Sequence, residues 1–194
     1  MFEQLKKIKG FAFDLDGTIV DSKLNFTKMR KDLKFPVDIG ILEHLENISC
    51  EVQKKSAWDV VNYHERLGAQ EASLIDGVLD LLIYLKNNNI PIGILTRNSN
   101  EVAHISLKKF NLEFDIVLSR DDCMAKPSPE GLEIMAKKWG IDTSEIVFIG
   151  DHFFDVETAI NASSLPIMFD PKEIHPESEQ YLKIKCFREL LSVF

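Results

Sequence analysis

The sequence reads as an α/β protein: a parallel sheet with helices on both faces, three layers in all, carrying a small all-helical insert near its start. Three observations support this. Short apolar runs recur at residues 11–13, 91–95, 115–118, 145–149 and 165–169. Between the later runs lie helix-periodic stretches of roughly 10–15 residues, the alternation that gives parallel strands with crossover helices. From about Ser22 to Ala72, by contrast, apolar residues follow helical spacing alone, with no β-branched alternation.

Taken in order, residues 10–21 (GFAFDLDGTIVD) open with a buried strand ending on Asp14 and Asp16, and Gly17 permits a sharp turn beyond. The insert follows. Leu24, Met29 and Leu33 give residues 24–34 one apolar face, which Pro36 breaks. Ile41, Leu42 and Leu45 do the same for residues 39–46. Residues 50–67 place Val52, Ala57, Val60, Val61 and His64 at near-helical spacing, with Gly68 as the stop. Residues 74–86 form a strongly apolar helix before the strand at 91–95. Ser99 or Asn100 caps a helix through Phe110. Ser128, with Pro129 at the first helical position, starts a helix to Trp139 that Gly140 ends. A further helix follows strand 145–149 to about Ala162, and the polar tail after Pro171 closes with a helix near 187–193. The expected division is a core of residues 1–20 and 73–194, and a helical cap of 21–72.

The totals narrow the function. At 194 residues and 45% hydrophobic content the chain can bury one sizeable core plus the insert. A net charge of −8 gives no electrostatic footprint for nucleic acid or an anionic membrane. An anionic substrate would therefore need a bound cation or a few placed Lys and Arg. Cys50, Cys123 and Cys186 are odd in number and far apart, so reduced thiols are expected rather than a disulfide framework or a zinc site. Residues 1–10 are charged throughout, and no run approaches the roughly 20 apolar residues that span a bilayer. A cytoplasmic protein is expected.

In such a sheet, ligands bind at the carboxyl ends of the strands. That rule gathers the polar residues after each strand: Asp14 and Asp16, Thr96 to Asn98, and Asp151. Strand spacing points Asp14 and Asp16 to one side, and buried carboxylates are costly without a cation. A metal and a nucleophile are the chemistry such a pair suggests.

These residues also carry a resemblance. DLDGT (14–18), Thr96 in ILTRN, Lys126 in KPSPE and GDHFFD (150–155) resemble, in order, the four motifs of the haloacid dehalogenase superfamily of phosphohydrolases. The likeness covers nearly the whole length, and the insert resembles that family's C1-type cap. It implies a Rossmann-like fold and an Mg²⁺-dependent phosphomonoesterase, nearest the phosphoglycolate-phosphatase-like members, acting on a small phosphate ester. Asp14 would be the nucleophile, forming an aspartyl-phosphate, and Asp16 the general acid and base. Mg²⁺ would be held by the Asp14 carboxylate, the Asp16 backbone carbonyl and Asp151, with Asp155 acting on a metal-bound water or on Lys126. Thr96 and the backbone N–H groups of Arg97 and Asn98 would bind phosphoryl oxygens, and Lys126 would neutralise phosphate and nucleophile. The same two aspartates leave a phosphomutase of the β-phosphoglucomutase type as one alternative, and a non-catalytic binder of a phosphorylated ligand or protein as another. A monomer or homodimer is expected.

Other residues read as structural. His152 adjoins Asp151 without a second His or Cys at ligand spacing. Trp58, Tyr63 and Met29 are expected to pack between the insert's helices, and Cys123 to be an inert thiol. The sequence departs from the family pattern at residues 161–164 (NASS) and 75–77 (IDG), and its insert of about 50 residues is short for the type.

Overall fold

The computed structural model describes residues 2–36 and 39–192. Its strands in chain order are β1 (Gly10–Phe13), β2 (Val20–Asp21), β3 (Ser73–Leu74), β4 (Ile92–Leu95), β5 (Ile116–Leu118), β6 (Ile146–Gly150), β7 (Leu165–Phe169) and β8 (Leu182–Ile184). Its helices are α1 (Phe26–Leu33), α2 (Ile41–Glu46), α3 (Glu51–Glu71), α4 (Val78–Asn87), α5 (Asn100–Lys109), α6 (Glu130–Trp139), α7 (Phe153–Asn161) and α8 (Arg188–Leu191).

Six strands form one parallel sheet in the order β5-β4-β1-β6-β7-β8. β1 sits centrally, with Phe11 between Ile92 and Val147, and Phe13 between Ile94 and Ile149. Side-chain alternation then divides the core in two. Phe11 and Phe13 join Leu81 and Leu85 of α4, Leu107 of α5 and Leu190 of α8 on one face. Ala12, Leu95 and Phe148 meet Leu132 and Met135 of α6 and Ala159 of α7 on the other. The chain builds outward from β1 to β4 and β5 on one side, then returns to lay β6, β7 and β8 on the other. That reversal opens a crevice at the carboxyl ends of β1, β4 and β6.

The insert is three helices around a core of its own, in which Met29, Ile41, Leu45 and Val61 are buried. Asn25 caps α1 by accepting the Lys28 N–H at 2.8 Å. Met29 packs inward as expected, whereas Tyr63 is exposed.

Several boundaries differ from the sequence reading. α3 does not stop at Gly68 but runs through it to Glu71. A Cβ at Gly68 would lie 2.8 Å from the Ser22 carbonyl oxygen, so this glycine serves close approach of the helix to the chain entering the insert. Lys109 of α5 supplies the end of α3, donating to the Gln70 and Ala72 carbonyls, each at 2.6 Å. Leu74 is not helical: Ser73–Leu74 pairs antiparallel with Val20–Asp21, a two-residue ribbon joining both ends of the insert, and α4 begins at Val78. Ladders this short leave no alternation to read. β8 was missed because Leu182–Ile184 interleaves a lysine in a polar tail. Pro129 is the cap before α6 rather than its first residue. The last helix is Arg188–Leu191; Val193, expected to end it, lies outside the described residues.

Candidate active site

The carboxyl end of β1 carries Asp14, whose N–H donates to the Ile149 carbonyl at 2.8 Å, so its backbone is locked between β1 and β6. β1 ends at Phe13, and Asp16 stands instead in the tight turn that follows, where the Gly17 N–H donates to the Val20 carbonyl at 2.7 Å. The turn, not strand alternation, brings both aspartates to one cavity of about 1110 Å³. Thr96, Arg97, Asn98, Lys126, Asp151 and Asp155 line it too. All eight sequence-selected residues therefore meet in one place.

Lys126 is buried at its base and donates to Asp14 Oδ1 at 2.6 Å and Asp155 Oδ1 at 2.5 Å. Burial alone would lower the Lys126 pKa, but Asp14 and Asp155 outweigh it and hold the ammonium charged well above its ordinary range. Asp14 is pushed well above the usual carboxylate range by burial, against the pull of Lys126 and with Asp155 and Asp151 adding repulsion. Asp151 is pushed up to about 7, by burial first and then by Asp155. Asp16 is raised by burial, although hydrogen bonds from Ser22 and the Asn98 side chain oppose this.

Around this centre, Thr96 is fixed by its N–H donating to the Leu118 carbonyl at 2.9 Å, and its hydroxyl accepts the Asn98 N–H at 3.1 Å. The Asn98 N–H, expected to face a phosphoryl oxygen, is held by Thr96 in this state. Arg97 lies 4.4 Å over the Phe154 ring and donates to Glu43 of α2. Asp155 accepts the His152 N–H at 3.0 Å while also facing Lys126, so α7's capping is part of the site. His152 itself caps that helix, its Nδ1 accepting the Phe154 N–H at 3.1 Å. Burial, then Glu130 and Asp122, push the Cys123 thiol up to about 11, which keeps it protonated and unreactive.

The residues fit a divalent cation. One carboxylate oxygen each of Asp14, Asp151 and Asp155 lies within 4.8 Å of the others. Three ionised carboxylates against the single Lys126 ammonium would leave two negative charges uncompensated, and an oxygen-only set suits a hard ion. Gly17 makes the room: a Cβ there would lie 2.0 Å from Asp151 Oδ2. The Asp16 side chain is not in that cluster and faces Asn98 instead.

Sequence reasoning overlooked Arg120, Glu65, Glu43 and Phe154. Arg120 follows β5, and the strand-end rule that found Thr96 would have found it had that strand been weighed equally.

Over residues 11–164 the sequence matches the haloacid dehalogenase-like hydrolases, and the chain belongs to that family. It is 28% identical over 160 residues to a haloacid dehalogenase-like hydrolase domain-containing protein of Arabidopsis thaliana, covering 77% of this chain and 65% of that relative. It thus spans just under two thirds of that protein's length. A phosphoglycolate phosphatase of Yersinia pestis is 25% identical over 181 residues, 80% of this chain and 78% of its own length. In three dimensions, the crystal structure of a family IA, variant 3 hydrolase from Entamoeba histolytica superposes with a TM-score of 0.78 at 24% identity, covering 94% of this chain and 95% of that one.

Proposed function

We propose that this hydrolase is an Mg²⁺-dependent phosphomonoesterase acting on a small phosphorylated metabolite through an aspartyl-phosphate. The observation that carries this reading is Lys126, buried and charged between Asp14 and Asp155 at the base of a cavity. A phosphate dianion repels a carboxylate nucleophile, so positive charge must already be fixed where the two meet. Asp14, Asp151 and Asp155, with the Asp16 carbonyl, would hold Mg²⁺, which when bound supplies the remaining charge compensation.

In the first half-reaction an Asp14 carboxylate oxygen attacks phosphorus, the bond from phosphorus to the ester oxygen breaks, and Asp16 gives its proton to the departing alcohol. In the second, Asp16 takes a proton from water as that water attacks phosphorus, and inorganic phosphate leaves with the Asp14 carboxylate restored. Burial suits Asp16 to the first role because it favours the protonated acid. Thr96, Arg97 and Asn98 would bind the phosphoryl and substrate oxygens. The name of the Yersinia pestis relative agrees with a small phosphate ester as substrate.

We read residues 1–20 and 73–194 as the catalytic core and 21–72 as its cap, in a monomer or homodimer that binds neither nucleic acid nor membrane. Among the described residues no helix is long and apolar enough to cross a membrane. Assay against a broad panel of phosphorylated metabolites and an aryl phosphate, with and without Mg²⁺, tests the reading. Metal-dependent phosphate release is expected. Inertness across the panel would overturn it.

A further inference from the structure

Arg120 has no place in the scheme above, yet its guanidinium donates four hydrogen bonds beside the cavity. It follows β5 by two residues, and its side chain is nearly buried, as is that of Glu65 opposite. Its Nη1 donates to Glu65 Oε1 at 2.8 Å, and its Nη2 donates to Glu65 Oε2 at 3.0 Å and to Asn62 Oδ1 at 2.8 Å. The guanidinium lies 4.6 Å over the Trp58 ring. Trp58, Asn62 and Glu65 share one face of α3, since their spacing of four and three residues stacks them along the helix. One side of Arg120 thus belongs to the insert.

The other side belongs to the loop after β4. Nη1 also donates to the Arg97 carbonyl at 2.8 Å, and the Arg120 backbone N–H donates to the Asn98 carbonyl at 3.1 Å. In a trans peptide the carbonyl and the following N–H point in opposite directions. Holding the Arg97 carbonyl toward Arg120 therefore turns the Asn98 N–H the other way, to where the Thr96 hydroxyl receives it at 3.1 Å. A salt bridge that merely anchored α3 would need Glu65 alone; the bonds to two successive loop carbonyls set the loop's shape.

We propose that Arg120 is a positioning residue for phosphoryl binding, clamped by Glu65 so that the 96–98 loop keeps the Asn98 N–H on the Thr96 hydroxyl and leaves that hydroxyl's own proton to be donated into the cavity. Phosphate affinity is thereby coupled to the seating of α3. The inference rests on the phosphatase reading. Metal affinity is not part of the coupling, because the acids proposed to hold the metal stand just after β1 and β6 and on α7, away from the 96–98 loop.

Arg120→Lys keeps the charge, but a single ammonium cannot span Glu65, Asn62 and the Arg97 carbonyl in the fixed plane of a guanidinium. Inorganic phosphate and Mg²⁺ are titrated separately by calorimetry into the wild-type chain, Arg120→Lys and Glu65→Gln, with thermal midpoints recorded for each. The expected result for Arg120→Lys is a loss of about tenfold in phosphate affinity, equal to about 1.4 kcal/mol, with Mg²⁺ affinity held within about twofold. Glu65→Gln moves the same way by less, and carries the test should Arg120→Lys not fold. Phosphate affinity unchanged in the folded variants overturns the proposal, and so does a parallel fall in phosphate and Mg²⁺ affinity, which would mark general damage. A wild type that neither binds phosphate nor hydrolyses any ester instead brings down the phosphatase reading itself.

Discussion

Two acid–base pairs face the same cavity, and they differ in kind. On the floor, Lys126 and Asp14 are 4% and 10% exposed, with Asp155 behind them at 2%. At the rim, Arg97 and Glu43 are 22% and 41% exposed, one on the loop after β4 and the other on α2 of the insert. The floor pair cannot trade its partner for water, so the Lys126 ammonium is held in place before any ligand arrives. The rim pair can. Glu43 is held somewhat below the ordinary carboxylate range by Arg97 even though partial burial works against this, and Arg97 Nε has no hydrogen-bond partner among the described residues. In the proposed mechanism the floor carries the chemistry, and the rim exchanges with what enters.

Substitutions should separate the two. The largest effect is expected for Asp14→Asn, which removes the proposed nucleophile: turnover of an aryl phosphate should fall by roughly 10³-fold or more, measured as phosphate release. Next comes Lys126→Met, expected to lower kcat by about 10²–10³-fold, the scale for losing one preorganised charge-stabilising donor. Asp155→Asn leaves one acceptor oxygen to serve either Lys126 or the His152 N–H but not both, so its thermal midpoint should drop by an amount corresponding to about 1.5–3 kcal/mol. Glu43→Gln at the rim should cost under about 1 kcal/mol of stability, with its effect on KM differing between substrates. A rim variant as damaging as Lys126→Met would erase the distinction.

The floor also sets a pH dependence. Asp151, pushed up to about 7 when no cation is bound, takes up a proton in the folded state that the unfolded state binds only near its ordinary value. Stability from this group is full below that ordinary value and is lost as pH rises through about 7. The metal-free protein should therefore melt lower at pH 8 than at pH 5.5, with Mg²⁺ restoring more of the difference at pH 8, where the carboxylates are ionised. Thermal melts with and without Mg²⁺ check this.

The floor was the legible part of the chain. Asp14, Thr96 and Asp151 each stand at a strand end that short apolar runs announce, and the sheet topology brings them together; Lys126, eight residues beyond β5, is legible only through the resemblance of KPSPE to the family's third motif. Asp16 was selected on strand spacing yet reaches the cavity through a turn. The rim was half legible: Arg97 was named, but its partner Glu43 comes from α2, and nothing local in a sequence tells which face of one helix meets a loop 54 residues away. Gly68 misled for a similar reason, because glycine marks both helix ends and close backbone approach, and only packing against Ser22 tells the two apart. The β2–β3 ribbon is too short for any period.

The measurement that bears most directly on Asp14 as nucleophile is rapid acid quench during steady-state turnover, followed by peptide mass spectrometry. A phosphoryl group on the peptide containing Asp14, absent from Asp14→Asn, is the expected result. Undiminished turnover by Asp14→Asn, or wild-type turnover with no phosphoryl group on that peptide, would contradict it.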